Sequence, residues 1–400
     1  MQVSTRILAL SAAVLALSAG VPGYAQESQQ TELQSWRVPG WSFTPGFAIG
    51  PVFDDNVAIA GRDEFGNTAS DTLLEVEPFG QLEFFSARTT FSSGYRGSLR
   101  RYFELSNLDG VEHRLYASLR HRLTRRVTLF VDQSFQQSPT TDALELNGLP
   151  FVRVGSRYSL ASAGIEARLT KSLDLATQYE MTYADFLSED TPLRGGFVQG
   201  GYTSLTHRLG ERASVGGEYS LRLADLNDGA TQYTFQSVGS VFQYRTGEYT
   251  TLHLSGGMTH VAERSRDVTR SGPYWKAELV HRLERATVGA GYERSYTPSF
   301  ALGGTQRSHQ LRGYVEMPFR RNRLYVQESA SWRRTDPFIS DEPALDSMWI
   351  RSTLGYAIRR WLRLEGHHTF TSQDNRLAGG RVTRHVAGIQ MVVSEPMRIR

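Results

Sequence analysis

Apolar and polar residues alternate along most of the chain after about residue 41. In the stretch 173–184, one set of alternate positions is Leu, Leu, Thr, Tyr, Met and Tyr, and the other is Asp, Ala, Gln, Glu, Thr and Ala. The stretches 74–84, 213–223 and 309–319 alternate in the same way. A period of two places the two sets on opposite faces of a β-strand, and no stretch keeps a helical period. The pattern therefore predicts strands with one apolar and one polar face.

Short turns separate the alternating segments at regular intervals. They are rich in Arg and Leu, lie 36 to 46 residues apart, and fall near positions 124, 170, 210, 246, 284, 320 and 360. Each interval has room for a hairpin of two strands of about 13 residues, one tight turn and one longer loop. The blades of a WD-repeat propeller share this period but need four short strands, so a series of hairpins fits better.

Long strands in a regular meander, with short turns at one end, are typical of a transmembrane antiparallel up-and-down β-barrel. The segments from 46–57 through 381–393 predict an all-β fold of about 18 strands, within a range of 16 to 18. A soluble β-sandwich would also alternate, but its strands are usually only about 5–6 residues long. Aromatic residues near strand ends on the apolar face suit the girdle of a membrane barrel, namely Tyr95, Tyr179, Tyr183, Tyr219, Tyr292, Trp332, Tyr356 and Phe370.

The N-terminus has the anatomy of a cleaved secretory signal peptide, with Arg6 before an apolar run at 7–21 and small residues up to Ala25. A membrane anchor is the alternative, but the apolar run is shorter than the roughly 20 residues of a helical span. We expect a signal peptide at 1–25, a short periplasmic arm at 26–45, the barrel at 46–393 and a tail at 394–400. The expected location is the outer membrane of a Gram-negative cell, with its lipid and the barrel assembly machinery as partners.

Composition excludes several other classes of protein. The chain has no Cys, so a disulfide scaffold is excluded and closure of the sheet must supply stability. The formal charge of +3 falls to +2 once Arg6 leaves with the signal peptide, so no nucleic-acid partner is expected.

The neighbours His367 and His368 face opposite sides of a strand, and so do Asp54 and Asp55, for which a turn or a cation contact is expected. With no motif for zinc, phosphate or a nucleophilic serine, we predict no catalytic residue, no metal and no cofactor.

The polar face of the strands is expected to line the lumen. Glu75 and Glu77 lie on one strand and Arg96 and Arg100 on the next, so cross-strand ion pairs are expected. Two interpretations of the charges stay open: rows of arginine attract anionic or sugar solutes, or the charges pair with one another and hold the wall together. The predicted lumen-lining residues are Arg96, Arg100, Arg114, Arg120, Glu166, Glu218, Arg222, Arg312, Glu316, Arg351, Arg363 and Glu365.

The segment 46–57, GFAIGPVFDDNV, resembles the first strand of the β-barrel porin 2 family of outer-membrane proteins. Members of that family often open with a Gly-rich strand that runs into an aromatic-Asp-Asp-Asn turn. The serial hairpins over 46–393 are similar as well. The resemblance implies an outer-membrane barrel, in several relatives associated with exopolysaccharide or capsule loci, and it implies no catalytic residues.

A barrel of about 18 strands is wide enough for an aqueous channel unless something fills it. The leading hypothesis is a passive outer-membrane channel that passes small polar solutes or exports a polysaccharide. The alternative is a non-conducting structural or docking barrel of an envelope export system, and an enzyme at the rim is the least favoured class. The longest loop, 138–155, either folds inward as a constriction or caps the outside.

Overall fold

The computed structural model describes residues 39–61, 68–141, 149–188, 193–227, 229–319, 323–339, 343–375 and 380–399. The predicted signal peptide and most of the predicted arm lie outside these ranges. Apart from strands, the regular structure in the described residues is a single 3₁₀ turn, Ser106–Leu108. No helix in this part of the chain is long and apolar enough to cross a membrane.

Eighteen long strands and one short one follow each other along the chain. The long strands have 12 to 16 residues. Their bounds are β1 Gly40–Asp54, β2 Asp71–Phe85, β3 Thr89–Tyr102, β4 Gly110–Arg122, β5 Val127–Ser138, β6 Ser156–Arg168, β7 Leu173–Phe186, β8 Gly196–Arg208, β9 Ala213–Leu226, β10 Thr231–Arg245, β11 Thr250–Glu263, β12 Val268–Arg282, β13 Thr287–Ser299, β14 Gly304–Phe319, β15 Leu324–Pro337, β16 Leu345–Ala357, β17 Leu362–Asn375, β18 Gly380–Ser394 and β19 Met397–Ile399.

The long strands form one closed antiparallel meander. Each strand from β1 to β17 pairs with the next, and β1 also pairs with β18. In this closing ladder Gly46 lies opposite Ser394 and Asp54 opposite Val386. Closure satisfies the backbone groups that an open sheet would leave unpaired at its edges. The predicted antiparallel up-and-down barrel of about 18 strands is confirmed.

The wall extends further at both chain ends than the expected bounds of 46 and 393. Strand β1 begins at Gly40, and it pairs with β2 from that residue onward. Beyond Pro396, β19 pairs with Trp41–Phe43 at the other edge of β1. Pro-Gly pairs at 39–40 and 45–46 are typical of a linker. Trp41 and Phe43 nevertheless alternate with polar residues, as in a strand. Because proline has no N–H to donate, Pro396 interrupts the ladder between β18 and β19.

The outer face of the barrel is apolar. Val238, Leu311 and Ile389 are each more than half exposed, at 61%, 52% and 59%, and further large apolar side chains surround them. A soluble protein rarely exposes so large a contiguous apolar surface. Lipid is therefore the solvent of this face, and the chain is an outer-membrane β-barrel protein.

The two ends of the barrel differ in the length of their connections. Tight turns join the strands at one end, which we call the turn end. There the Thr124 hydroxyl accepts hydrogen bonds from the backbone N–H groups of Arg126 and Val127, both at 3.1 Å, and Thr170 does the same for the next turn. The longer connections lie at the other end, the loop end, which faces the cell exterior in barrels of this kind. The predicted turn at 320–322 lies outside the described residues.

Candidate constriction of the lumen

Apolar side chains, many of them at inward positions of the strands, gather at the loop end of the barrel. Most strands carry polar inward residues at mid-height, but their last inward positions before the loops are apolar, as Tyr233 and Phe235 are on β10. These side chains pack against apolar residues from the loops. We call this group the mouth cluster: Leu149, Tyr158, Ala184, Phe186, Leu193, Val198, Ala224, Leu226, Tyr233, Phe235, Val261, Tyr296, Phe300, Ala301 and Phe338.

Residues 149–154 of the longest loop cross the lumen, and we call them the crossing segment. It leaves the wall between β5 and β6 but bonds to Gln373 on β17, which is six strands from β5 by the shorter way round. The backbone N–H of Phe151 donates to Gln373 Oε1 at 2.7 Å, and Gln373 Nε2 donates to the Leu149 carbonyl at 2.9 Å. Of the two positions left open for this loop, the inward one is therefore observed for 149–154. Residues 142–148 lie outside the described part of the chain.

A single arginine of the crossing segment ties three loops together. Arg153 donates from Nη1 to the Val57 carbonyl at 2.9 Å and from Nη2 to the Leu108 carbonyl at 2.6 Å. Its guanidinium also lies over the ring of Tyr102, 5.6 Å from the centroid. Each guanidinium–carbonyl bond has a charged donor, which makes it stronger than a neutral one. The crossing segment is thus held by the β1–β2 and β3–β4 loops as well as by β17.

A buried ion pair holds the closing strands together at the loop end of the barrel. Arg384 on β18 donates to both carboxylate oxygens of Asp54 on β1, with Nη2–Oδ2 at 2.5 Å and Nε–Oδ1 at 3.0 Å. The side chains of Asp54 and Arg384 are only 1% and 9% exposed. Asp55 points the other way and accepts from the backbone N–H of His385. Asn56 donates to the carbonyls of Ala60 and Thr383. The Asp-Asp-Asn motif therefore has a structural role. It forms a turn, and its first residue contacts the Arg384 guanidinium.

Below the mouth cluster, the lumen is lined by charges that pair across the wall. Arg96 Nη1 lies 3.0 Å from Glu77, and Arg100 lies 2.9 Å from Glu75 and 3.2 Å from Glu112. The ion pairs expected between the second and third strands are present. Six of the other predicted residues also form ion pairs, which join Arg114 to Glu112, Arg120 to Glu166, Arg312 to Glu278 and Arg363 to Glu365.

Two glutamates on the lumen wall accept hydrogen bonds from tyrosines of other strands. Tyr274 on β12 passes over Gly257 on β11 and Gly239 on β10, which are in one cross-strand row with Glu218 on β9. Its hydroxyl donates to Glu218 at 2.7 Å, and that of Tyr202 donates to the same carboxylate at 2.9 Å. A Cβ atom at Gly239 would lie 2.1 Å from the Tyr274 hydroxyl, so only glycine leaves room there.

The same arrangement recurs further round the wall with a single glycine. Tyr325 on β15 passes over Gly355 on β16 and donates to Glu365 on β17 at 2.5 Å. Glycine in a strand interior often marks such a close approach of another group. The tyrosines were not among the predicted site residues, although their place on the polar face was a signal that could have suggested an inward role.

The remaining predicted residues have other surroundings. Arg222 Nη2 donates to the Tyr296 carbonyl at 3.0 Å, so it contacts the mouth cluster. Arg351 lies over the ring of Trp349, 5.0 Å from its centroid. Glu316 lies on β14 toward the turn end, away from the constriction. Taken with the ion pairs, these contacts favour the interpretation in which the charges support the wall over one in which free arginine rows collect anions.

No family model matches the chain, and no curated protein matches it. Among solved structures, it is similar to OccAB4 from Acinetobacter baumannii, at 10% identity over 90% of this chain and 99% of that one, with a TM-score of 0.47. It is also similar to OccK9 (OpdG) from Pseudomonas aeruginosa, at 11% identity over 89% and 98%, with a TM-score of 0.46. The outer membrane protein opdK from the same organism gives 10% identity, 89% and 99% coverage and a TM-score of 0.44. The resemblance to the β-barrel porin 2 family stays a prediction.

Proposed function

We propose that this barrel is an outer-membrane channel for small polar solutes whose exterior mouth is narrowed by the crossing segment. The observation that carries the proposal is a lumen wall of ionised residues beneath an apolar constriction. The side chains of Arg96, Arg120 and Arg363 are between 28% and 30% exposed on that wall. Removing water from an ionised side chain costs much free energy, so partly exposed arginines on this wall indicate that water reaches the lumen.

The paired charges also indicate which solutes suit the channel. A wall on which Arg and Glu alternate presents donors and acceptors together, so it offers partners to neutral polar and zwitterionic molecules. A single-sign row would instead favour ions of the opposite sign. Passage of a polysaccharide stays a prediction. It would require the crossing segment to move aside.

Recording from purified protein in planar lipid bilayers tests the proposal. We expect conductance steps from the natural protein, and larger steps from Gln373→Ala, because this substitution removes both hydrogen bonds that hold the crossing segment at β17. The matched control is Gln137→Ala, an amide near the loop end of β5 that accepts from Arg157 in the neighbouring strand. It should leave the conductance unchanged.

One outcome would contradict the channel, and another would contradict the role of the crossing segment. Silence from both the natural protein and Gln373→Ala, with folding shown by heat-modifiable migration on a gel, would favour the docking barrel of an export system. Equal conductance in the natural protein and Gln373→Ala would show that the crossing segment does not limit passage.

A further inference from the structure

The outward face of β13, β14 and β15 changes from apolar to basic in one step toward the loop end. Residues that lie opposite one another across these strands form rows. One row consists of Tyr292, Leu311 and Trp332. The next outward row toward the loop end consists of Arg294, His309 and Arg334. An isolated basic residue on a barrel needs no explanation, but three adjacent strands that switch at the same height form a common feature.

The basic row is reinforced by Arg307, the next outward residue on β14. Arg307 Nη2 lies 3.1 Å from Asp336 Oδ2, and Arg334 Nε lies 3.2 Å from Asp336 Oδ1. Two guanidinium groups thus share one carboxylate, and their side chains are still 36% and 55% exposed. Asp346 lies opposite Arg334 but accepts a hydrogen bond from Trp332 Nε1 at 2.8 Å. We call Arg294, Arg307, His309 and Arg334 the basic patch.

Unlike Arg307 and Arg334, Arg294 forms no ion pair with a carboxylate among the residues that the structure describes. Its guanidinium lies over the ring of Trp275, 4.6 Å from the centroid, and Nη2 donates to the Tyr296 hydroxyl at 3.2 Å. The pairing of β12 with β13 ends at this point, with Trp275 opposite Arg294. Stacking on an aromatic ring does not use the N–H groups of an arginine. The Nε atom of Arg294 is buried, so its terminal N–H groups are the ones that can bind an anion.

The position of the basic patch matches the headgroup level of the outer leaflet. Tyr and Trp residues of a membrane barrel mark the boundary between hydrocarbon and headgroups. The basic patch lies one outward position beyond Tyr292 and Trp332, on the side of the loops that face the exterior. Side chains at that height meet phosphate groups rather than acyl chains, and arginine binds phosphate through paired hydrogen bonds.

We propose that the basic patch binds the phosphate of a phosphorylated glycolipid of the outer leaflet, with the acyl chains of that lipid on Leu311 and the aromatic row beneath. The apolar row is the reason for a lipid rather than free phosphate. Leu311 is 52% exposed directly below His309, so a ligand that joins a phosphate to acyl chains contacts both rows at once. The proposal does not depend on whether the lumen conducts.

Titration of the purified full-length barrel in detergent, followed by native mass spectrometry, tests the assignment. The probes are diphosphorylated lipid A, the same lipid without its phosphates, and inorganic phosphate as competitor. The test variant is Arg294→Gln/Arg334→Gln. The matched control is Arg101→Gln/Arg157→Gln, which removes two exposed arginines from β3 and β6, on another part of the wall. We expect the test variant to bind diphosphorylated lipid A at least about tenfold more weakly, because the loss of one hydrogen bond to a charged group typically lowers affinity by about this factor.

The control variant should bind diphosphorylated lipid A within about twofold of the natural protein. The dephosphorylated lipid should bind the natural protein and the test variant equally weakly. Because Arg294 contacts Tyr296 of the mouth cluster, Arg334→Gln alone serves as a second variant if the double variant does not fold. Equal losses in the test and control variants, or a loss that does not depend on the phosphates, would overturn the proposal. Complete displacement of the lipid by millimolar inorganic phosphate would assign the patch to free phosphate instead.

Discussion

At the scale of single residues, the most demanding contact in this barrel is the tyrosine that spans three strand positions. Tyr274 reaches Glu218 only because the two residues between them in the row, Gly257 and Gly239, carry no side chain. The hydroxyl satisfies a carboxylate that faces the lumen, and the ring covers backbone that would otherwise be bare. Glycine costs strand stability by itself, so its presence twice in this row is explained by the tyrosine.

Gly239→Ala should therefore destabilise the barrel, because its Cβ would lie 2.1 Å from the Tyr274 hydroxyl and force the ring off Glu218. Overpacking of this kind typically lowers the free energy of unfolding by about 1–3 kcal/mol. Urea titration of the barrel in lipid vesicles measures the change. Gly366→Ala is the control, since the nearest atom to its Cβ would be a carbonyl oxygen 4.0 Å away, and it should change the free energy of unfolding by much less. Equal effects of the two substitutions would contradict this account.

The sequence predicted which residues face inward but not which residues meet. Alternation places Glu75, Glu77, Arg96 and Arg100 on the polar face, and their pairing follows from the adjacency of β2 and β3. The contact of Tyr274 with Glu218 joins β12 to β9, and it depends on the register of three ladders. Register is set by the turns and by the whole closed sheet, so no local pattern contains it.

At the scale of elements, closure of the barrel depends on the ladder between β1 and β18. The two strands are the first and last of the meander, so their pairing joins distant parts of the chain and has the highest entropic cost. The buried pair Asp54–Arg384 lies at the loop end of this ladder, where it fixes the two strands to each other. The linker-like texture of 39–46 concealed the start of β1 in the sequence, since the pairing partners that make it a strand lie at residues 80–85 and 394–399.

Asp54→Asn should be strongly destabilising, because it leaves the Arg384 guanidinium buried without the carboxylate. Breaking a buried ion pair from one side costs about 3–5 kcal/mol of unfolding free energy. The double variant Asp54→Asn/Arg384→Gln should recover part of this loss, because the buried charge is gone as well. Urea titration of both variants checks the coupling. Additive losses in the double variant would show that the two side chains do not stabilise the ladder as a pair.

At the scale of the whole molecule, the two ends of the lumen have different chemistry. The mouth cluster at the loop end is apolar and is joined by loops from several sides of the wall, whereas the middle carries paired charges. The inward position of the crossing segment could not be predicted, because its partner Gln373 is more than 200 residues away in the chain. Its apolar residues indicated burial, yet a cap outside the barrel would have buried them equally well.

The balance of charge in the lumen predicts weak ion selectivity, which a change in a single pair should disturb. Glu77→Gln removes one carboxylate next to Arg96 on the lumen wall, so the reversal potential across a bilayer in a KCl gradient should shift toward anion preference. Glu328→Gln makes the same substitution on the outward face, where Glu328 accepts a hydrogen bond from Ser352 at 2.6 Å. This control should leave the reversal potential unchanged, because its side chain faces away from the lumen. A shift of equal size in both variants would mean that the ions do not pass Arg96, and the path through the lumen would have to be abandoned.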